Sequence, residues 1–432
     1  MADTAPLLSI PEFGPPPGGK ATWFEGADKA RLRQAIFTPK GQARGTVVLS
    51  GGRTEVIEKY YEVIAELLER GFVVLTHDWR GQGLSARALP DRLRGHAGKY
   101  QEFLSDFDIL LNGNETRAPK PWVAMGHSMG GCLTLLALAT GQAHRFEAAI
   151  LSAPMLALNT GPAPRLAVEV LMGLRLGMGG AGDYIGGKPG EPLGGPFEDN
   201  HVTHDKDRYA RNCALLRAHP DLALGSATWG WLDFAYKAMG FLGQASNLSG
   251  VTLPVTICQA GGEKIVDNRG QDRAARALPN AKLVPIAGAF HEILQETDDK
   301  RAQFWREFDL LAEGLSKPAP PEKALGEKLV KAVAAAPVET PSKATAKPPA
   351  EAPVKSAVVP RKAAAKPQPK APSKPAAATA KAAAKPAKVA AAAKPVKAAA
   401  VPAKPSAAKS KAAASAEAAA KPAARKKAPA KG

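Results

Sequence analysis

Short apolar runs of strand length alternate with segments of helical period along the chain as far as residue 315. The predicted strands are Thr46–Ser50, Phe72–Thr76, Trp122–Met125, Ala148–Leu151, Val255–Gln259 and Leu283–Ile286. The helical patterns between and after them are Glu58–Arg70, Lys99–Asn112, Met129–Thr140, Gln271–Leu278 and Asp298–Leu315. An antiparallel hairpin is predicted ahead of them, over Trp23–Thr38. This alternation predicts an α/β fold with a mostly parallel central sheet and helices on both faces.

One long interval breaks the alternation. About a hundred residues, roughly 154–250, separate the fourth of these strands from the fifth. The interval is first rich in Gly, Leu and Met and then has a helical pattern around Asp205–Arg217 and Trp229–Met239. Because structureless loops of that length are uncommon in compact domains, we expect an inserted cap.

The charge of the chain is concentrated at its C-terminal end. The formal net charge is +18, but residues 316–432 contain 25 Lys and Arg against 5 Asp and Glu, whereas residues 1–315 contain 33 basic and 35 acidic residues. The C-terminal segment consists mainly of Ala, Lys and Pro and has no aromatic residue, so we predict that it is disordered. The predicted organisation is a Pro/Gly-rich segment (1–22), one domain (23–315) and a basic tail (316–432).

Several classes of protein do not fit the composition. The three cysteines have no paired spacing, which argues against a disulfide framework or a metal site and favours a reduced compartment. The N-terminus lacks the basic and apolar regions of a signal peptide, and the most apolar later stretch is interrupted by Arg165, Glu169 and Arg175. We therefore expect a cytoplasmic protein without a transmembrane segment, metal or cofactor.

The sequence Gly126-His127-Ser128-Met129-Gly130 lies directly between a predicted strand and a predicted helix. A Gly-x-Ser-x-Gly motif in this position is typical of the nucleophile turn of α/β-hydrolases. Such a tight turn presents the serine hydroxyl to a cleft. It also directs the first N–H groups of the helix, including that of Met129, toward an oxygen that becomes negative when the serine attacks a carbonyl. Ser128 is thus the predicted nucleophile.

A serine nucleophile needs an imidazole to accept its proton and a carboxylate to orient that imidazole. In this fold the acid and then the histidine follow the serine along the chain, and His291 is the only histidine after the last predicted strand. The loop after the strand Val255–Gln259 offers two carboxylates. We favour Glu263, because Asp267 is well placed to cap the following helix, although Asp267 stays open as the alternative acid.

These motifs resemble the lysophospholipase and monoacylglycerol-lipase branch of the α/β-hydrolases, especially its bacterial members, over about residues 23–315. Besides the serine turn, the resemblance rests on His77-Asp-Trp-Arg-Gly-Gln-Gly-Leu-Ser85, on Gln259-Ala-Gly-Gly-Glu-Lys-Ile-Val-Asp-Asn268 and on Asn200-His-Val-Thr-His-Asp-Lys-Asp-Arg-Tyr209. It implies a serine carboxylic ester hydrolase, with the acid at Glu263. We interpret the block 77–85 as structural, since its glycines permit a tight loop that Asp78 and Arg80 can brace.

The sequence departs from the family pattern after the strand Thr46–Ser50, where Gly51-Gly52 replaces the usual His-Gly. The resemblance then assigns the second oxyanion N–H to Arg53, together with that of Met129. Since a backbone N–H supplies this function, loss of the histidine need not abolish activity. The Arg53 side chain could also recognise a phosphate or carboxylate on the substrate.

The predicted substrate is a small-molecule acyl ester. Apolar residues of the cap could line an acyl-chain pocket, or they could be ordinary helix-packing core. These residues are Leu166, Val168, Val170, Leu171, Met172, Leu174, Trp229, Trp231 and Phe234.

A second hypothesis assigns the main role to the tail. Its net charge of +20 would bind polyanions, either DNA by counterion release or an anionic membrane surface, with the hydrolase domain auxiliary. The protein would then associate peripherally with the inner membrane or the nucleoid. A solvated extension without a partner is the simpler interpretation of the same composition. The sequence does not predict the oligomeric state.

Overall fold

The computed structural model describes residues 3–315. The predicted disorder of residues 316–432, and any partner bound by them, lie outside the described residues. Within residues 3–315, no helix combines the length and apolar character needed to cross a membrane.

One eight-stranded sheet organises the described residues. Its strands are β1 (Gly19–Glu25), β2 (Arg31–Phe37), β3 (Gly45–Ser50), β4 (Phe72–His77), β5 (Trp122–His127), β6 (Ala148–Ser152), β7 (Val255–Ala260) and β8 (Ala281–Ile286). Their order in the sheet is β1-β2-β4-β3-β5-β6-β7-β8. The first two strands pair antiparallel and the other six are mutually parallel, which confirms the predicted α/β architecture.

Helices connect the parallel strands and build the cap. They are α1 (Tyr61–Glu69), α2 (Tyr100–Asn112), α3 (Ser128–Ala139), α4 (Arg165–Gly177), α5 (Lys206–Ala218), α6 (Trp229–Leu242), α7 (Ala245–Leu248), α8 (Asn268–Ala277) and α9 (Asp298–Leu315). The insertion between β6 and β7 contains α4 to α7. The sequence pattern did not predict helix α4, because Gly173 and Gly177 have low helix propensity.

The sheet separates two apolar cores. Successive residues of a strand face opposite sides, so Val48 and Ala124 pack toward α2, α3 and α8, while Val47 and Val123 pack toward α1 and α9. This burial on both faces explains why the parallel strands are almost continuously apolar.

The N-terminal hairpin is longer than predicted. Strand β1 begins at Gly19 rather than at Trp23, and the residues ahead of it also pack on the sheet. Ala5 is buried, and Thr4 forms a β-bridge with Thr22. The Pro/Gly-rich composition concealed this pairing.

Candidate active site

Ser128 lies on a strained turn between β5 and α3. Its φ angle is +50°, a left-handed conformation that costs energy for any residue with a Cβ. The two flanking glycines make the turn possible. A Cβ on Gly126 would lie 2.8 Å from the Cα of Gly131, and one on Gly130 would lie 2.3 Å from the carbonyl oxygens of Ser50 and Gly51. The Gly-x-Ser-x-Gly spacing is therefore a steric requirement of this turn.

His291 lies on the loop after β8 and contacts both other predicted members of the site. Its Nε2 lies 2.8 Å from Ser128 Oγ, and its Nδ1 lies 2.7 Å from Glu263 Oε2. An ionised carboxylate only accepts hydrogen bonds, so Nδ1 carries the proton in the neutral ring. Nε2 is then free to accept the proton of the Ser128 hydroxyl. The structure thus brings together Ser128, His291 and Glu263.

The carboxylate of Glu263 is fixed by the turn that contains it. Its Oε1 accepts the backbone N–H groups of Lys264, Ile265 and Val266 at 2.9, 2.7 and 3.2 Å. Burial favours a raised pKa, but the hydrogen bonds from His291 and from these backbone groups outweigh it and lower the pKa of Glu263. An ionised, immobile carboxylate is what orienting a histidine requires.

The structure does not bring Asp267 into this group. It is the N-cap of α8, where its Oδ1 accepts the backbone N–H of Arg269 at 3.0 Å, and its carboxylate also pairs with the Arg269 guanidinium. These contacts give Asp267 the helix-capping role that the sequence offered as its non-catalytic interpretation.

The loop after β3 leaves one backbone N–H unused. Glu55 Oε2 accepts the N–H of Gly52, and Gln82 Oε1 accepts that of Thr54 at 3.1 Å. Between them, the N–H of Arg53 has no hydrogen-bond acceptor in the described part of the chain. The loop adjoins the nucleophile, since a Cβ on Gly52 would lie 3.1 Å from the Cβ of Ser128. An unused donor beside a nucleophile suits an oxyanion hole.

The second predicted donor, the N–H of Met129, belongs to the first turn of α3. The first four N–H groups of a helix have no intrahelical acceptor, and they carry the positive end of the helix dipole. The Met129 side chain is buried in the core, so only its backbone can serve the site.

Side chains of the neighbouring block 77–85 hold the loop Gly51–Thr54 in its conformation. Trp79 Nε1 donates to the Gly51 carbonyl and Gln82 Nε2 donates to the Gly52 carbonyl, both at 2.9 Å. Asp78 braces the block as predicted, because its Oδ2 accepts the N–H of Leu84 at 2.9 Å, whereas Arg80 pairs outside the block with Glu102 and Asp106. The contacts of Trp79 and Gln82 with Gly51–Thr54, the segment that we call the oxyanion loop after its predicted role, were not predicted.

A buried charged cluster lies beneath the same loop. Lys59 Nζ bridges Glu55 at 2.8 Å and Glu292 at 2.7 Å. Burial alone would raise the pKa of Glu55, but Lys59, His127 and Tyr60 lower it to about 2. The lysine thus connects the oxyanion loop, through Glu55, to the residue that follows His291. Sequence analysis missed this connection, because no local motif encodes it.

The segment Asn200–Tyr209 holds the His291 loop against the cap. The N–H of Glu292 donates to the Val202 carbonyl at 2.8 Å. Buried Glu296 accepts from His204 Nδ1 and from the N–H of Phe290, both at 2.7 Å. This family-like segment therefore positions the loop that contains the imidazole.

The reacting side chains are nearly buried, whereas part of the apolar surface of the cap faces outward. Ser128 and His291 are 8% and 5% exposed. Phe234 and Met172 are buried, as core packing predicts. Neither the acyl-pocket hypothesis nor the core-packing interpretation is right for four residues of α4, which point to solvent. Their exposed fractions are 71% for Leu166, 65% for Val170, 47% for Leu171 and 58% for Leu174.

Comparison with known proteins adds a family to this geometry. Residues 41–298 match the Hydrolase_4 family model, described as serine aminopeptidase, S33. Lysophospholipase L2 of Escherichia coli K12 is 31% identical over 294 residues, which are 65% of this chain and 83% of that protein. A monoacylglycerol lipase of Mycolicibacterium smegmatis is 26% identical over 285 residues, which are 64% of this chain and 91% of that protein.

Solved structures agree on the fold. A soluble variant of the Saccharomyces cerevisiae monoglyceride lipase superposes with a TM-score of 0.56 at 20% identity, covering 73% of this chain and all of that one. A carboxyl esterase of Bacillus coagulans gives a TM-score of 0.55 at 18% identity, covering 69% of this chain and 99% of that one.

Proposed function

The chain belongs to the Hydrolase_4 family, as a serine ester hydrolase of the lysophospholipase and monoacylglycerol-lipase-like branch, and from this premise we propose that it releases the fatty acid of monoacylated glycerolipids through an acyl-enzyme on Ser128. The observation that carries the proposal is the bridge made by His291, whose two ring nitrogens contact Ser128 and Glu263 at 2.8 and 2.7 Å.

In the first half of the reaction, Ser128 Oγ attacks the ester carbonyl carbon while its proton passes to His291 Nε2. Glu263 stabilises the imidazolium that forms. The carbonyl oxygen becomes negative and accepts the N–H groups of Met129 and Arg53. Collapse of this intermediate breaks the ester bond. His291 returns its proton to the leaving glycerol oxygen, and the acyl group remains on Ser128.

Water completes the cycle. His291 takes a proton from the water as its oxygen attacks the acyl carbon, and it then protonates Ser128 Oγ as the fatty acid leaves. No step requires a metal or an organic cofactor.

The outer face of the cap supports a lipid substrate over a water-soluble ester. Leu166, Val170, Leu174 and Met178 are spaced every four residues and lie along one side of α4 and its C-terminal end, each more than half exposed. Contiguous exposed apolar residues mark surfaces that bind proteins, membranes or apolar ligands. We infer that this side of α4 meets the aggregated lipid from which the substrate is drawn.

Fatty-acid release from a monoacylglycerol and from a lysophospholipid tests the proposal on the full-length chain. Ser128→Ala should abolish release from both lipids. Ser152→Ala is the matched control, because Ser152 is also buried at a strand end but contacts His127 rather than His291. Equal turnover by Ser128→Ala and the wild type would contradict the proposal.

The tail supports a second candidate role on composition alone. We propose that residues 316–432, with their net charge of +20, bind polyanions in addition to the hydrolase activity. Full-length protein and a chain ending at Leu315 should differ in affinity for DNA or anionic vesicles, and that difference should shrink as salt is raised. Equal affinity would eliminate this role.

A further inference from the structure

Arg53 presents a half-buried positive charge that no acidic group of residues 3–315 neutralises. Its Nη2 donates to the Gly225 carbonyl in the cap, and its Nε is inaccessible and has no hydrogen-bond partner in the described residues. It forms no ion pair with any carboxylate of residues 3–315, and burial lowers its pKa to about 10. The guanidinium is nonetheless a cation at neutral pH.

Two other buried arginines of this protein are paired. The Arg33 guanidinium is fully buried and lies 2.7 Å from both Glu58 and Asp78. Arg301 is almost as buried and contacts Glu62 and Glu66. Burying a charge is costly unless it is paired. Arg53 lacks this compensation, and so does Arg87, whose guanidinium donates only to the Ala223 carbonyl among the described residues. Arg53 differs from Arg87 because it follows Gly52, which adjoins Ser128, so a substrate bound at Ser128 can supply its partner.

A second unused donor lies beside Arg53. The guanidinium Cζ is 5.3 Å from the centre of the Trp231 ring, and the Nε1 of that ring is buried without a hydrogen-bond partner in the described residues. A cation and a neighbouring unused N–H donor match a ligand that is anionic and rich in oxygen acceptors.

Arg53 lies close enough to Ser128 for the anionic group and the ester under attack to belong to one molecule. Arg53 directly follows Gly52, which adjoins Ser128, and its side chain reaches from there to Gly225 and Trp231 of the cap. In a lysophospholipid the phosphate is separated from the ester oxygen only by the glycerol backbone. A phosphate held by Arg53 would thus belong to a molecule whose ester lies at Ser128.

We propose that Arg53 and Trp231 form a subsite for the phosphate of a lysophospholipid headgroup, which makes Arg53 a determinant of specificity for phosphorylated over neutral monoacyl lipids. This inference rests on the proposed function, because it names the substrate class of the same site.

The test compares kcat/KM for lysophosphatidylcholine with kcat/KM for a monoacylglycerol of the same acyl chain, in mixed micelles of fixed composition, using the full-length chain. The readout is the ratio of the two values. Any disturbance of the Arg53 backbone N–H, or of the cap contact at Gly225, affects both substrates and cancels in the ratio. The variants are Arg53→Met, which removes the charge, and Arg53→Lys, which keeps it.

Arg53→Met should lower the ratio by at least about tenfold, the usual effect of a charge-assisted hydrogen bond, and Arg53→Lys should restore part of the loss. An unchanged ratio in Arg53→Met would overturn the subsite. Failure of the proposed function gives a different result, namely hydrolysis of neither lipid by the wild type.

A measurement on the wild type keeps the inference testable if the variants do not fold. Glycerol 3-phosphate should inhibit monoacylglycerol hydrolysis competitively, whereas glycerol at the same concentration should not. Equal effects of these two compounds would contradict an anion subsite. Inhibition by inorganic phosphate as strong as that by glycerol 3-phosphate would show a site for free phosphate and overturn the headgroup assignment.

Discussion

The carboxylate of Glu55 accepts the backbone N–H of Gly52, and this contact decides which amide of the oxyanion loop remains free. With the Gly52 and Thr54 amides occupied, the unused donor falls on Arg53. The same carboxylate is paired with Lys59, which also contacts Glu292, the residue after His291. One buried cluster therefore connects the two loops that must cooperate in the reaction.

Glu55→Ala should lower kcat about a hundredfold with a smaller change in KM, because a misplaced oxyanion donor weakens the transition state more than substrate binding. The free energy of unfolding should also fall by about 1–3 kcal/mol, since Lys59 keeps Glu292 but loses one of its two buried partners and the Gly52 N–H loses its acceptor. Glu55→Gln, which still offers an acceptor to Gly52, should recover part of kcat. Steady-state kinetics and urea denaturation check this, and a proportional rise in KM with kcat intact would contradict it.

The two candidate acids should separate clearly by substitution. Glu263→Gln should reduce kcat by about a thousandfold or more, because an amide neither fixes the tautomer of His291 nor stabilises its cation. Asp267→Asn should leave kcat near the wild-type value and cost at most about 1 kcal/mol of stability, as expected for a helix cap. The reverse pattern would transfer the acid role to Asp267.

The parallel strands could be predicted from the sequence, because strands buried on both faces appear as uninterrupted apolar runs. That Ser128 and His291 would lie together could also be predicted, because a steric motif specifies the serine and the order along the chain specifies the histidine. The sequence also favoured Glu263 from its place in the turn. It did not reveal Lys59 or Glu296, whose contacts join segments far apart in the chain. Such pairs have no local pattern, since only the folded topology brings them together.

The pH dependence of stability should carry a contribution from His77. Burial lowers its pKa to about 3, and neither ring nitrogen has a hydrogen-bond partner in the described residues. Below the ordinary histidine pKa of about 6.5, the unfolded chain binds a proton at this position that the folded chain does not. The free energy of unfolding should therefore fall as pH drops from about 6.5 toward 3, by up to about 1.4 kcal/mol per pH unit.

The substitution His77→Phe removes the titrating imidazole, and the new phenyl ring should fit beside the rings of Trp79 and Phe107. Urea denaturation at several pH values between about 7.5 and 4.5 should show a shallower decline in the variant than in the wild type. Parallel declines would mean that His77 titrates equally in both states.

The exposed apolar side of α4 should matter only for aggregated substrate. The double substitution Val170→Ser with Leu174→Ser should raise the apparent KM for micellar lipid several-fold, because it removes apolar contact area without touching the core. Turnover of a soluble short-chain nitrophenyl ester should be unaffected. Leu310→Ser, at an exposed leucine of α9, is the matched control. Equal changes in the two surface variants would contradict a specific lipid contact.

Trapping of the acyl-enzyme tests the central claim most directly. Full-length protein is mixed with excess nitrophenyl ester, and the reaction is quenched in acid. The protein is then digested, and the mass of the peptide containing Ser128 is measured by mass spectrometry. We predict a burst of nitrophenolate stoichiometric with enzyme, the mass of one acyl group on Ser128, and neither signal in Ser128→Ala. An acyl group on another residue, or undiminished hydrolysis by Ser128→Ala, would contradict the account.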